Sequence, residues 1–179
     1  MALKATIHKL ELSVADMDRS YYGTHAITIA RHPSETSLRM MIRVAAFAAF
    51  AEETLEFGRG ISAEDEPALW TRDLTGNILH WIELGLPDDR LLRRAAGRST
   101  RLTLVAYGGR AVDVWWAQNR ADLARVKNLT VVEVPFEAND GLEKLADKYM
   151  KISATIQDDE IMLSDGKTTV SFKLITKTE

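Results

Sequence analysis

The chain has 179 residues, 46% hydrophobic and 27% charged, which suits one globular domain with room for a sizeable core. It contains no cysteine, which excludes disulfides, thiol chemistry and cysteine-bound zinc. The net charge of −3 gives no global sign of a nucleic-acid binder. The opening MALKATIHKLEL lacks an apolar h-region and reads as mature structure rather than a signal peptide. The most hydrophobic run, Met40 to Ala51, is interrupted by Arg43 and is too short to span a bilayer. A soluble protein of a bacterial-type cytoplasm is expected.

In chain order, the first elements are two strands. Alternation from Ala5, at its best from Leu10 to Val14, predicts the first; Ala15–Asp18 turns the chain, and Thr24–Ala30 supplies a second, β-branched run. A long helix follows, with Ser34 as N-cap and Glu35 near the positive end of the dipole. Leu38, Met41, Ile42, Ala45, Ala49 and Leu55 make its apolar stripe, and Gly58 and Gly60 end it. Glu35, Arg39 and Arg43 lie four apart on one face, the spacing of an ion-pair ladder.

An irregular acidic stretch, 61–77, closes on a Gly76–Asn77 turn. The pattern then alternates: strand 78–84, helix 88–97, strand 102–107, helix 110–121, strand 129–134, helix 138–150. Such alternation predicts an α/β layer with a largely parallel sheet. The tail reads as a meander over 152–157, 160–163 and 168–174, turning at Asp158–Asp159 and Asp165–Gly166.

Charge is unevenly spread. Gly85 to Lys127 holds eight Arg and one Lys against four Asp, a net of +5, so the remainder carries about −8. A local basic surface on an acidic protein can hold a polyanion, and a solvated helix face rich in Arg has the same composition. Glu83 is the odd letter in the apolar run ILHWIELGLP, because a buried carboxylate is costly unless it is paired, hydrogen-bonded or metal-bound. Asp73 stands ten residues earlier, across the Gly76–Asn77 turn. If 71–74 and 78–85 run side by side, the two carboxylates could meet and bind Mg²⁺ or Mn²⁺, which prefer oxygen ligands.

Several collinear segments resemble one family over nearly the whole chain. They are MALKATI at the start, ARHPSET at 30–36, RG with DEP at 59–67, WIELGLPD at 81–88, WW with QN at 115–119, and ATIQD with LSD at 154–165. By these the sequence is similar to the YaeQ family. The resemblance implies a variant of the PD-(D/E)xK nuclease fold: a restriction-endonuclease-like α/β/α core with a mixed sheet. The N-terminal strands and C-terminal meander would add a second β-sheet. In that superfamily an Asp on one strand and a Glu on the next bind the metal, places that Asp73 and Glu83 fit, and a Lys two positions after the Glu assists. Here that third place is Gly85, so a cation from the following helix, Arg93 or Arg94, would have to stand in. Gln118 could orient water or a substrate oxygen, and Glu35 on the long helix could complete the metal site, with Glu52 and Glu53 as weaker candidates.

Other chemistry finds little support. His8, His25, His32 and His80 lack metal-ligand spacing, and His80, alternating with Ile78 and Ile82, reads as a satisfied core or edge histidine. There is no G-x-S-x-G elbow and no Walker lysine, so Tyr107-Gly108-Gly109-Arg110 reads as a tight βα turn. Of Trp115 and Trp116, one can pack on the sheet while the other points elsewhere, where it could stack on a base. The expected function is a Mg²⁺- or Mn²⁺-dependent nuclease-like protein whose arginine-rich 85–127 segment holds nucleic acid. The alternative is a catalytically inactive module on the same scaffold, binding nucleic acid or a protein partner.

Overall fold

Residues 4–59 and 65–179 are described by the structure, a computed structural model; Gly60 and the first part of the acidic stretch 61–77 lie outside them. Strand β1 (Thr6–Asp16) buries His8, Leu10, Leu12, Val14 and Asp16, the period-2 pattern of a half-buried strand. It pairs antiparallel with β2 (Tyr21–Arg31), Thr6 opposite Arg31. Both strands run longer than their alternation predicts, because two-sided exposure on β2 blurs the pattern.

Helix α1 (Ser37–Ala49) starts later and ends earlier than expected. Thr36, not Ser34, is its N-cap, accepting the Arg39 N–H at 3.0 Å, while the Ser34 hydroxyl bonds His32 Nδ1 at 2.6 Å. Nine successive residues, Met40 to Ala48, are buried, the sign of a helix packed on more than one side. The helix stops at Ala49 so that the chain can reverse into β3 (Glu56–Phe57). Gly58 follows because the chain approaches itself closely there: a Cβ would sit 2.0 Å from the Pro67 carbonyl oxygen.

A six-stranded sheet comes next. It comprises β3, β4 (Leu69–Arg72), β5 (Ile78–Leu84), β6 (Ser99–Ala106), β7 (Leu129–Glu133) and, on its far edge, residues 175–176. β5, β6 and β7 are parallel, linked by α2 (Asp89–Arg98) and α3 (Arg110–Leu123); β3, β4 and β5 form an antiparallel meander. The sheet is therefore mixed.

The helix expected over 138–150 is instead a single 3₁₀ turn (Phe136–Ala138) and a short α4 (Asn139–Lys144), since Tyr149 already begins a strand. That strand, β8 (Tyr149–Gln157), lies parallel to β1, and β9 (Glu160–Ser164) and β10 (Thr169–Lys173) continue the sheet in the order β10-β9-β8-β1-β2. The final strand, β11 (Ile175–Thr176), returns to pair with β7. The N-terminal strands and C-terminal meander thus form the added sheet. Asp158 and Asp159 both have positive φ, 52° and 64°, as a two-residue I′ hairpin requires, and the Asp18 carboxylate accepts both of their N–H groups at 2.9 Å.

The core has two parts. One surrounds α1 and joins the two sheets, taking Leu10, Leu12 and Ile152 from the added sheet and Ile82, Leu84 and Val105 from the six-stranded one. The other lies between the opposite face of the six-stranded sheet and α2 and α3, with Trp81, Leu102, Leu104, Leu92 and Trp115. The described residues thus form a mixed α/β protein of two mixed sheets and four helices.

Candidate functional site

Glu83 lies one residue before the end of β5, opposite Leu104 of β6. Alternation puts it on the same side as Trp81, toward α2 and α3. The Trp81 indole N–H donates to Oε2 at 3.3 Å and the Leu84 N–H to Oε1 at 3.2 Å. Burial pushes the Glu83 carboxyl above the usual carboxylate range; those two donors and the Arg39 charge pull the other way without cancelling it. Two residues on, Gly85 turns the chain with a φ of +92°, a left-handed conformation that disfavours a lysine there.

The loop from β2 into α1 carries the second element. Glu35 is 2% exposed, and its two carboxylate oxygens are taken by Arg39 at 2.9 Å and Arg43 at 2.7 Å. The ladder predicted from spacing exists, but it is buried. Arg43, 1% exposed, also donates to the Ala30 carbonyl at 3.2 Å and lies over the Phe57 ring, and its Nε has no partner among the described residues. Burial draws the Arg43 pKa down and Glu35 holds it back up. Arg31 Nε donates to the Glu35 carbonyl at 2.9 Å, fixing the loop.

Arg39 enters the electrostatics of both places. Its charge acts on Glu83, and on Tyr107 just past β6, whose hydroxyl pKa is raised first by burial, lowered by Arg39 and raised by Glu35. Neither Arg93 nor Arg94 of α2 pairs with Glu83 among the described residues, where its partners are the Trp81 and Leu84 N–H groups. From sequence, Arg39 is placed only in a helix-face ladder and Tyr107 only in a βα turn.

Asp73 is elsewhere. It sits in the turn of the β4–β5 hairpin, where Arg72 stands opposite Ile78. Its Oδ1 accepts from the Thr75 N–H, the Thr75 hydroxyl and the Asn77 N–H at 2.8–2.9 Å, and its Oδ2 from the Asn77 amide at 2.9 Å. These bonds, led by the Asn77 and Thr75 side chains, hold its pKa down at about 2. The expected convergence with Glu83 does not occur. Glu83 is five residues further along β5, about 16 Å at strand rise.

The donor set does not fit Mg²⁺ or Mn²⁺, which bind ionised oxygen ligands. Glu83 has its two oxygens on the Trp81 and Leu84 N–H groups, Glu35 is bound by two arginines, and Asp73 is occupied by its own turn. Among the described residues no three His, Asp or Glu side chains group as metal ligands do. Glu52 and Glu53 lie past the end of α1 rather than on it. Arg94 and Gln118 are exposed on α2 and α3, with no hydrogen bond to Glu83. His80 is buried and satisfied, with Nε2 2.7 Å from the Thr103 hydroxyl and Nδ1 accepting from Arg101 at 3.0 Å.

The outer layer of α2 and α3 is the other distinctive region. Leu92 and Ala95 of α2 and Val112 and Trp115 of α3 face inward, which turns Arg90, Arg93, Arg94, Arg98, Arg110 and Arg120 to solvent. Arg93 pairs with Asp89, and Arg98 approaches Asp65 at 3.9 Å. Arg90, Arg94, Arg110, Arg120, Arg125 and Lys127 have no ion-pair partner among the described residues. Trp115 packs inward, its indole N–H donating to the Pro87 carbonyl at 2.8 Å, and Trp116 stays half-buried.

A family model described as YaeQ protein matches residues 1–174. The chain is 45% identical over 174 residues to "Uncharacterized protein YaeQ" of Salmonella typhi and 43% identical to that of Escherichia coli (strain K12), covering 97% of this chain and 96% of each relative. Among solved structures it is similar to the YaeQ protein from Xanthomonas axonopodis pv. citri, at 41% identity and a TM-score of 0.94, with 97% of this chain and 98% of that one covered. It is also similar to the YaeQ protein from Pseudomonas syringae, at 37% identity and a TM-score of 0.91, with 98% and 97% covered.

Proposed function

The chain belongs to the YaeQ family, and we propose that it is a nucleic-acid-binding protein on a restriction-endonuclease-like α/β/α core without a hydrolytic metal centre among the described residues. The nuclease-like placement is supported by a mixed sheet with α1 on one face and α2 and α3 on the other, and by Glu83 on the strand that follows the β4 hairpin. The observation that carries the binding reading is the α2–α3 layer, where arginines without carboxylate partners are held outward by an apolar inner face. Such charges lose little on meeting phosphates and release counterions when they do, so binding should weaken steeply with salt.

A hydrolytic reading keeps one observation in its favour. Glu83 and Tyr107 stand at the carboxyl ends of parallel strands β5 and β6, where open α/β sheets bind ligands. One experiment separates the two readings. Labelled duplex and single-stranded DNA and RNA are titrated with protein at several salt concentrations, with and without Mg²⁺ or Mn²⁺, and the products are run on a gel. The binding reading expects salt-dependent association, lost in an Arg90→Glu/Arg94→Glu/Arg110→Glu variant, and intact nucleic acid throughout. No association at low salt refutes it; metal-dependent cleavage abolished by Glu83→Gln replaces it with the hydrolytic reading.

A further inference from the structure

A cleft of about 480 Å³ opens between the C-terminal half of α3 and residues 177–179, within the size range of small-ligand sites. Trp116, Leu123 and Val126 form apolar wall, and Arg120, Lys127 and Lys177 supply cations. Lys177 is already engaged, by Glu133 at 2.9 Å and Asp113 at 3.4 Å. The cations left for a ligand are Arg120 and Lys127, neither ion-paired among the described residues. Of the lining side chains only Glu179 is acidic.

Neighbouring positions on a helix point about 100° apart, which separates the two tryptophans. Trp115 turns inward to the Pro87 carbonyl, leaving Trp116 beside it, ring centroids 6.4 Å apart, on the wall of the cleft. The Trp116 indole N–H makes no hydrogen bond among the described residues. Arg120 stands one turn further along the same face of α3. An aromatic face, an apolar wall and two unpaired cations together match a flat aromatic base carrying phosphate. A base stacked within a duplex could not enter; an unpaired one could.

We propose that this cleft takes one nucleotide of single-stranded nucleic acid, the base stacking on Trp116 and the flanking phosphates resting on Arg120 and Lys127. The inference rests on the nucleic-acid reading of the α2–α3 layer and adds to it the preferred strandedness. It is tested by fluorescence anisotropy with a labelled short oligothymidylate, alone and annealed to its complement, at low salt. The wild type should bind the single strand more tightly. Trp116→Leu, which keeps apolar volume, should weaken single-strand binding about tenfold and leave duplex binding unchanged. Arg120→Glu should weaken the single strand more than the duplex, and as an exposed substitution it decides the matter should Trp116→Leu disturb the fold by near-ultraviolet circular dichroism. Binding to neither probe overturns the nucleic-acid reading and the cleft with it. Tight binding unaffected by either variant, or preference for the duplex, overturns the cleft alone.

Discussion

Replacing Glu35 by Gln keeps the shape of the side chain and removes its charge, which strands Arg43. That guanidinium is 1% exposed, its Nε already lacks a partner among the described residues, and Glu35 is its one carboxylate at hydrogen-bond distance. Breaking a buried pair by removing one partner costs about 3–5 kcal/mol, mainly as uncompensated charge. Domains are stable by about 5–15 kcal/mol, so this loss is a large share of the total. Arg39, 19% exposed, can turn to water and adds little. A second substitution, Arg43→Met, should restore most of the stability in the Glu35→Gln background, because an apolar side chain suits the Phe57 contact and leaves no charge behind. Urea denaturation at neutral pH measures both variants, with unchanged m-values confirming that the midpoints report stability. A Glu35→Gln variant within about 1 kcal/mol of the wild type would refute the structural account, since surface substitutions fall in that range. It would also return Glu35 to the roster of free carboxylate ligands.

His80 and Glu83 predict opposite responses to pH. Burial first, and the Arg101 charge second, lower the His80 pKa from 6.5 to about 3. The unfolded chain takes up that proton as pH falls through 6.5 while the folded one does not. Stability from this group is therefore complete above that value and is lost on acidification, by roughly 2 kcal/mol between pH 7 and 5. His80→Gln should flatten this part of the pH–stability curve; equal slopes in variant and wild type would count against it. The folded Glu83 carboxyl, raised by burial, keeps its proton to higher pH than the unfolded one, so its contribution falls as pH rises through and above the ordinary carboxylate range. Glu83→Gln should gain on the wild type over that window in the same denaturation series. A variant that loses ground as pH rises would mean that Glu83 is ionised in the folded protein.

The strand–helix units from β5 to β7 were legible because their signals are local. β5 matches the expected strand 78–84 at both ends, and Asp88 caps α2 by accepting the Leu91 N–H. Failures lie where tertiary structure decides. The helical spacing of Leu55 continues past Ala49, but β3 must meet β4 there. The strand–helix alternation predicted a helix over 138–150, and the strand from Tyr149 took over because β1 offered an edge. A ten-residue spacing across a turn showed that Asp73 and Glu83 lie on one hairpin, not that the turn holds one of them and the far end the other. The Glu35–Arg39–Arg43 ladder was visible as spacing; its burial depends on α1 being wrapped by both sheets.

The parallel pairing of β1 with β8 bears on how the protein is made. Lys9 stands opposite Tyr149, so the first hairpin leaves the ribosome long before the strand that completes its sheet. Until then one edge of β1 is open and the row Leu10, Leu12 and Val14 lacks its neighbours Met150, Ile152 and Ala154. Closing a contact of that sequence separation is slow, and the waiting hairpin is the segment most open to pairing with another chain. The added sheet is thus completed only after β3 to β7 of the other sheet have emerged, although β1 and β2 precede them all.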